Sequence, residues 1–390
     1  MKPVKITDGV YSLRVNHFNR RLFDSLIPLP QGTSYNAYLI KGTGKTALVD
    51  SADPEKAEVL FDYLRGEEKI DYVISQHAEQ DHSGSIPLVL ARYPGAMVVT
   101  NPKCKEFLMS HLHIPADKFI EVKDGDTLQL GGKTLEFIYT PWVHWPETMV
   151  TYLREEKCLF SCDLFGSHLA VSELFSEEHV VYEPMKRYYA EIMMPFRSNI
   201  KNHLEKLAKY EISFIMPSHG PAHKNVKFIL DIYKDWAVSE PKNKAVVAYI
   251  SMHGSTYMLV NRLVSRLEEA GVAVEKLNLD QLDEGRVAMA LVDTATIVIG
   301  TPTVLAGPHP KAVYAAYLAN LLRPKAKFVS VIGSFGWGGR ALEIIAGLIP
   351  NLKAEVLKPV IIKGLPGAGE LAQIDELAAL IVEKHRAQAL

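Results

Sequence analysis

His77-Ala78-Glu79-Gln80-Asp81-His82 places four potential metal ligands, two imidazoles and two carboxylates, within six residues. The run directly follows Tyr72-Val73-Ile74-Ser75, an apolar, β-branched stretch that reads as a buried strand, so the ligands are expected where a strand opens into a loop. Such a position on an α/β scaffold holds a metal rigidly and leaves it reachable. Without a metal, two imidazoles and two acids at a buried strand end would be strongly destabilising. Three further candidates lie in apolar settings downstream: His144 in Thr140-Pro141-Trp142-Val143-His144-Trp145-Pro146, Asp163 in Phe160-Ser161-Cys162-Asp163, and His219 in Ile215-Met216-Pro217-Ser218-His219-Gly220. The remaining histidines, apart from His168 and His253, are read as ordinary surface or hydrogen-bonded residues.

The six-residue run resembles the H-x-H-x-D-H signature of the metallo-β-lactamase superfamily, whose hydrolases hold one or two zinc ions, with Glu79 in place of the middle His. An added carboxylate supplies a hard oxygen donor and a negative charge, which favours iron over zinc. The seven candidates are four His and three carboxylates. Two ferrous ions would carry four positive charges against those three acids, so one bridging hydroxide brings the site to about neutral, and a neutral site is buried without a large Born cost. With these residues the chain resembles the flavodiiron proteins, oxygen and nitric oxide reductases, along essentially its whole length. The resemblance implies that His77, Glu79 and His144 bind one iron, that Asp81, His82 and His219 bind the other, and that Asp163 bridges them. It also implies that His168, Tyr188 and Tyr189 line the distal pocket, where they could hydrogen-bond a reduced intermediate; for the Tyr pair, helix packing is the plain alternative. Trp145 is expected to shield the iron from water and to approach the flavin.

From residue 244 the pattern is a regular βαβ alternation. Ala245-Val246-Val247-Ala248-Tyr249-Ile250 reads as a buried strand, followed by the loop Ser251-Met252-His253-Gly254-Ser255-Thr256 and a helical run from Tyr257 to Ala270 that Gly271 ends. Further strands are legible at Thr296-Ile297-Val298-Ile299-Gly300 and Lys327-Phe328-Val329-Ser330-Val331-Ile332, as a doubly wound parallel sheet requires. The Ser251–Thr256 loop resembles the flavodoxin phosphate loop T-x-T-G-x-T. Its hydroxyls, backbone N–H groups and the positive helix end suit an FMN phosphate, whereas the plain reading is a Ser/Thr-rich turn capping a helix. It lacks Lys and Arg, unlike a Walker loop. Thr301-Pro302-Thr303 and Gly333-Ser334-Phe335-Gly336-Trp337-Gly338-Gly339 resemble the family's other two flavin turns, and both fall at carboxyl ends of strands, where such sheets bind ligands.

Length and composition agree with two domains in an α/β enzyme. The 390 residues exceed what one core usually serves, and 48% apolar content with a formal charge of -2 suggests neither disorder nor a nucleic-acid face. The amino-terminal residues have no apolar signal core and no segment approaches a membrane span, so a cytoplasmic location is expected. Before a boundary at Ser239-Glu240-Pro241-Lys242-Asn243-Lys244, strands at 35–40, 46–50 and 134–139 and turns at Gly125 and Gly131-Gly132 suit the αββα sandwich implied by the resemblance. The expected organisation is therefore a metallo-β-lactamase-like domain over 1–240 and a flavodoxin-like domain over 244–390. Cys104, Cys158 and Cys162 form no C-x-x-C pair, so no rubredoxin module is encoded here; Cys162 is read as a buried structural thiol.

The resemblance implies FMN and two irons as cofactors, dioxygen and/or nitric oxide as substrate, and an external donor, either a rubredoxin-type protein or reduced deazaflavin coenzyme. It implies a head-to-tail homodimer or a dimer of dimers, with the flavin of one subunit beside the metal site of another. A dinuclear zinc hydrolase fused to a flavodoxin-like domain and a non-catalytic FMN electron carrier are the rival readings; Glu79 and the flavin loops oppose the first, the complete ligand set the second. Two departures from the family pattern stand out. Leu305-Ala306 replaces an Asn-Asn pair, removing amide contacts near the flavin, and Asp24 replaces the His of D-W-x-x-R-x-F-H-G-Y, so no role of that His near the substrate carries over.

Overall fold

Strict alternation along the first strands sorts side chains between two cores. In the antiparallel pair Val10–His17 and Thr33–Lys41, Leu13, Val15, Tyr35, Ala37 and Leu39 point to one face, while Val10, Tyr38 and Ile40 point to the other. The first set packs with Leu60, Leu64, Ile86, Val89 and Leu108, all on helices. The second set packs with Leu135, Phe137, Met149, Leu153 and Phe160 of a second sheet. In this computed structural model, which describes residues 1–281 and 283–390, the first sheet has seven strands, running from Val4–Thr7 through Tyr72–Ile74 to Phe119–Glu121. The second has five, from Thr127–Gln129 to Phe214–Pro217. Two sheets facing each other with helices outside make the metallo-β-lactamase-like αββα sandwich.

The strands of the carboxyl-terminal half are ordered Ala273–Asn278, Lys242–Tyr249, Thr294–Val304 and Phe328–Phe335, then Glu355–Val356 and Val360–Lys363, and all these pairings are parallel. That is the flavodoxin order, 2-1-3-4-5. The chain forms two compact units: Met1–Tyr189 with Phe196–Val238, and Ala190–Pro195 with Ser239–Leu390. Lys242, Asn243 and Lys244, read from sequence as linker, begin a strand instead: Lys244 pairs with Ala273, and its Nζ sits 2.8 Å from Glu275 and 3.1 Å from Asp293. The helix expected from Tyr257 begins two residues earlier, at Ser255, because Gly254 caps it at φ +91, a left-handed conformation that a glycine adopts without strain. No described helix is long and apolar enough to cross a membrane.

Candidate metal centre

Each ligand-type side chain sits at or just beyond a strand end. His77 and Glu79 follow Tyr72–Ile74, Asp81 and His82 lie on the short helix Gln80–Ser83, His144 precedes Met149–Leu153, Asp163 follows Cys158–Cys162, and His219 follows Phe214–Pro217. The strand Thr33–Lys41 braces the His219 turn: Asn36 Nδ2 donates to the carbonyls of Pro217 (2.8 Å) and Gly220 (2.7 Å), and Tyr38 donates to Pro217 (2.7 Å). Gly220 has φ +78, and a Cβ there would lie 2.2 Å from Ser167 Oγ, so a side chain would push the turn apart. Non-glycine residues with left-handed backbone gather around the site, at Asp50 (φ 55), Trp142 (φ 66), Cys162 (φ 52) and Phe165 (φ 69). Such conformations persist only where the surrounding structure imposes them.

The seven side chains converge as two groups about one carboxylate. His77, Glu79, His144 and Asp163 bring ligand-type atoms within 4.8 Å of one another, and so do Asp81, His82 and His219. Glu79 Oε2 lies 3.1 Å from Nε2 of both His77 and His144, and Asp81 Oδ2 lies 3.1 Å from His219 Nε2. Asp163 faces both groups. Its Oδ2 is 3.3 Å from His144 and 3.6 Å from His77, and its Oδ1 is 3.0 Å from His82 and 3.4 Å from His219.

Both oxygens of Asp81, both of Asp163 and Nε2 of His82 are buried without a hydrogen-bond partner among the described residues. Inward-facing lone pairs at such density require cations. Protons can serve: burial alone would depress the imidazoliums, yet hydrogen bonds from His77 to Glu147 and Glu79, the charges of Asp163 and Asp81 on His82, and the close approach of Asp163 and Glu79 to His144 outweigh it and hold each up to about 10. The same pairings hold the Glu79 and Asp163 carboxyls below their ordinary range against burial. Metal ions would replace those protons, so the donor set fits a dinuclear metal site.

Other buried groups support the ligands from behind, and sequence reading missed two of them. Glu147 Oε1 accepts from His77 Nδ1 (2.8 Å) and from the Ala78 N–H (3.1 Å), which directs His77 Nε2 inward. Asp50 accepts from Gln76 N (2.9 Å), Gln76 Nε2 (2.8 Å) and Ser218 Oγ (3.2 Å), joining the two ligand-bearing turns. His219 Nδ1 donates to the Ser34 carbonyl at 2.7 Å. An acid directly after an apolar strand, as in Ala47-Leu48-Val49-Asp50, was the available signal for Asp50; Glu147 left none.

His168 and Tyr188 stand beside the cluster. The His168 ring is 5.0 Å from that of His219 and 4.8 Å from that of Tyr188; its Nδ1 pairs with Thr33 Oγ1 at 2.9 Å, and its Nε2 has no partner among the described residues. Burial, reinforced by His219, keeps it neutral. Tyr189, grouped with them from sequence, instead packs on Tyr233 and Trp236. Trp145 meets the His77 ring edge-on at 4.9 Å. Asp24 lies at the tip of the hairpin Leu22–Phe23/Ile27–Pro28, where partial desolvation and then Glu79 and Asp81 raise its carboxyl; the preceding Phe23 packs on His168 and His219. Cys162 is fully buried, and burial raises its thiol well above the ordinary range.

In the other unit, the turns after the Lys242–Tyr249, Thr294–Val304 and Phe328–Phe335 strands meet around a cleft. Ser251, Met252, His253, Ser255, Thr256, Pro302, Thr303, Ser334, Phe335 and Gly336 line it. Thr256 Oγ1 and Ser334 Oγ lie 3.1 Å apart, and Ser251 Oγ accepts from the Tyr257 N–H at 3.2 Å. Gly254 shapes the loop from the helix cap, and Thr301 is buried, taking the His309 N–H at 2.9 Å. Trp337 is 76% exposed, and Gly338 and Gly339 continue its turn at positive φ. A fourth loop, unread in the sequence, adds Gly364, whose N–H donates to Phe335 O at 2.8 Å. Leu305 and Ala306 form a two-residue hairpin turn, both at positive φ.

Comparison with known proteins follows the same division. The ODP family beta lactamase matches residues 33–220 and the flavodoxin family residues 247–378. A nitric oxide reductase of Moorella thermoacetica is 34% identical over 368 residues, covering 91% of this chain and 92% of its own. The solved rubredoxin oxygen:oxidoreductase of Desulfovibrio gigas superposes with a TM-score of 0.95 at 29% identity, over 99% of both chains. The flavodiiron protein of Giardia intestinalis does so with a TM-score of 0.91 at 27% identity, over 98% of both. A sandwich with seven converging ligand-type residues, joined in one chain to a flavodoxin-like sheet and aligned end to end with these oxidoreductases, places the protein in the flavodiiron family.

Proposed function

We propose that this oxidoreductase reduces dioxygen to water and/or nitric oxide to nitrous oxide, with electrons from an external donor passing through FMN to a diiron site. The observation that carries the reading is Asp163, one buried carboxylate with its two oxygens turned to two separate groups of ligand-type residues. His77, Glu79 and His144 would hold one iron, Asp81, His82 and His219 the other, and Asp163 would join them. Two ferrous ions there would bind a small diatomic substrate and give it electrons one at a time, with the reduced flavin and its donor replenishing them. The surrounding residues do the rest. Glu147 and the Ser34 carbonyl fix the tautomers of His77 and His219. His168, neutral and with its Nε2 unpartnered among the described residues, offers a hydrogen-bonding position beside the cluster, and Tyr188 walls the pocket with its ring.

Residues 1–240 would carry this chemistry and 244–390 the flavin. The hydroxyls of Ser251, Ser255 and Thr256 and the amino end of the helix Ser255–Glu269 would receive the phosphate, while Thr301, Pro302, Thr303, Ser334, Phe335 and Trp337 would surround the ring system. The exposure of Trp337 (76%) and Leu305 (94%) beside the cleft supports a second copy lying over it, as a head-to-tail homodimer or a dimer of dimers requires. A rubredoxin-type protein or a reduced deazaflavin would be the donor, and the cytoplasm the compartment. Metal and flavin quantitation on anaerobically purified protein, with paired oxygen and nitric oxide turnover, tests the reading. Two irons and one FMN per chain are expected; a fully active preparation holding only zinc would overturn it.

A further inference from the structure

Aromatic rings behind the metal cluster form a ladder that reaches the surface. Tyr188 lies 5.8 Å from the ring of His219. Tyr189, next along the chain, packs on Trp236 at 5.3 Å and on Tyr233 at 5.6 Å, and Trp236 meets Tyr182 at 5.7 Å. Tyr182 is 38% exposed, whereas Tyr188, Tyr189, Tyr233 and Trp236 are at most 1% exposed. Tyr182 and Tyr189 are seven residues apart along one helix and its cap, which puts them on the same face, with Trp236 of the Val226–Ala237 helix against both. Apolar packing would be served equally well by Leu or Phe. Tyr189, Trp236 and Tyr182 are in ring-to-ring succession, and Tyr188 joins them through its peptide bond to Tyr189; these rings have a second property, since phenols and indoles give up an electron more readily than the other ring side chains.

We propose that this ladder carries oxidising equivalents from the metal site to the protein surface when the centre is oxidised faster than donor electrons arrive. The inference rests on the diiron reading above. Tyr188, the ladder ring beside the cluster, would give one electron to an oxidised centre. The vacancy then moves outward, each inner ring being oxidised and restored by the next. Tyr182 finally loses one electron, its phenolic proton passes to water, and a soluble thiol returns both as a hydrogen atom. The buried steps favour Trp236 as the resting place. The Tyr189 hydroxyl has no hydrogen-bond partner among the described residues and so no local acceptor for its proton, while an indole is oxidised without losing one. Water can take the proton only at Tyr182.

Hydrogen peroxide, added without donor to the iron-loaded protein, tests this by freeze-quench EPR and by mass-spectrometric mapping of oxidised side chains, with metal-free protein as control. The expected result is an organic radical and iron-dependent oxidation concentrated at Trp236 and Tyr182. In Trp236→Phe the Tyr182 product should fall several-fold while products at Tyr188 and His168 rise. Tyr182→Phe, a surface change with no demand on folding, should make product accumulate at Trp236. The same distribution in native protein and both variants, or in metal-free protein, overturns the ladder. Dioxygen in place of peroxide separates this from the functional reading. Iron that stays reduced in oxygen while the peroxide pattern holds sinks the reductase and leaves the ladder, and iron oxidised by oxygen without the peroxide pattern does the reverse.

Discussion

Glu147→Gln asks how far one carboxylate outside the ligand set governs the metal. Glu147 and His77 are both fully buried at the side chain and 2.8 Å apart, and the same oxygen takes the Ala78 N–H. Glutamine keeps an acceptor for these donors and removes the negative charge behind the imidazole. Partners of this kind change metal affinity by about 10–100-fold, or roughly 1.4–2.7 kcal/mol. The second oxygen of Glu147 has no partner among the described residues, so the new amide nitrogen would be a buried donor without an acceptor. That adds about 1–3 kcal/mol of lost fold stability. Anaerobic chelator competition reads the iron affinity, flavin absorbance reports the other unit, and thermal melts read stability. An iron affinity equal to the native value, while His77→Ala loses iron in parallel, would refute the claim that Glu147 tunes His77.

Four further outcomes are expected. His77→Ala or Asp163→Ala should lose iron and keep the yellow colour, Asp163→Ala more completely because both ligand groups face it; metal analysis beside flavin absorbance checks this. In metal-stripped protein His77, His82 and His144 are held up to about 10 from an ordinary 6.5, so the stability they contribute is whole below pH 6.5 and is lost as pH rises toward 10. Depressed Glu79 and Asp163 contribute above their ordinary 4.5 and 3.8 and are lost on acidification, so melting temperature against pH should peak between about 5 and 6.5. Leu305→Asn should stabilise the protein by about 0.5–1 kcal/mol in urea melts, because asparagine tolerates the left-handed turn better than leucine. Gly254→Ala, forced to φ +91, should cost about 1–2 kcal/mol and weaken FMN retention, measured by fluorescence on dilution.

Where periodicity was strong, strands were legible from sequence: Thr134–Tyr139 begins and ends at the expected residues, and the parallel strands of the second half lie within a few residues of their expected places. Val10–His17 went unread: its alternate positions Ser12, Arg14 and Asn16 are polar yet buried or half-buried, Arg14 by donating to backbone carbonyls of Leu174 and its neighbours. The polar Lys242–Lys244 stretch looked like linker because the acids that pair with it, Glu275 and Asp293, are remote in sequence. The ligand-type residues were legible as types in a familiar order. Glu147 was not, since a lone Glu after Trp-Pro has the same appearance on a surface as behind a metal, and Tyr189 could not be told from Tyr188 before the helix phase was known. Gly364 carries no hydroxyl or aromatic to mark it as part of the flavin cleft.

The strand ends that supply His77 and His219 are separated by most of the amino-terminal unit's sequence, yet their imidazoles meet at one carboxylate. A bound metal pair would therefore act as a mooring as well as a reactive centre, forbidding the unfolded chain a very large set of open conformations. In a chain-entropy estimate, tying together a segment of that length is worth roughly 5 kcal/mol. Iron starvation would then be felt along strands with no metal contact, and the cell's supply of the element would set how tightly this half of the molecule holds its shape.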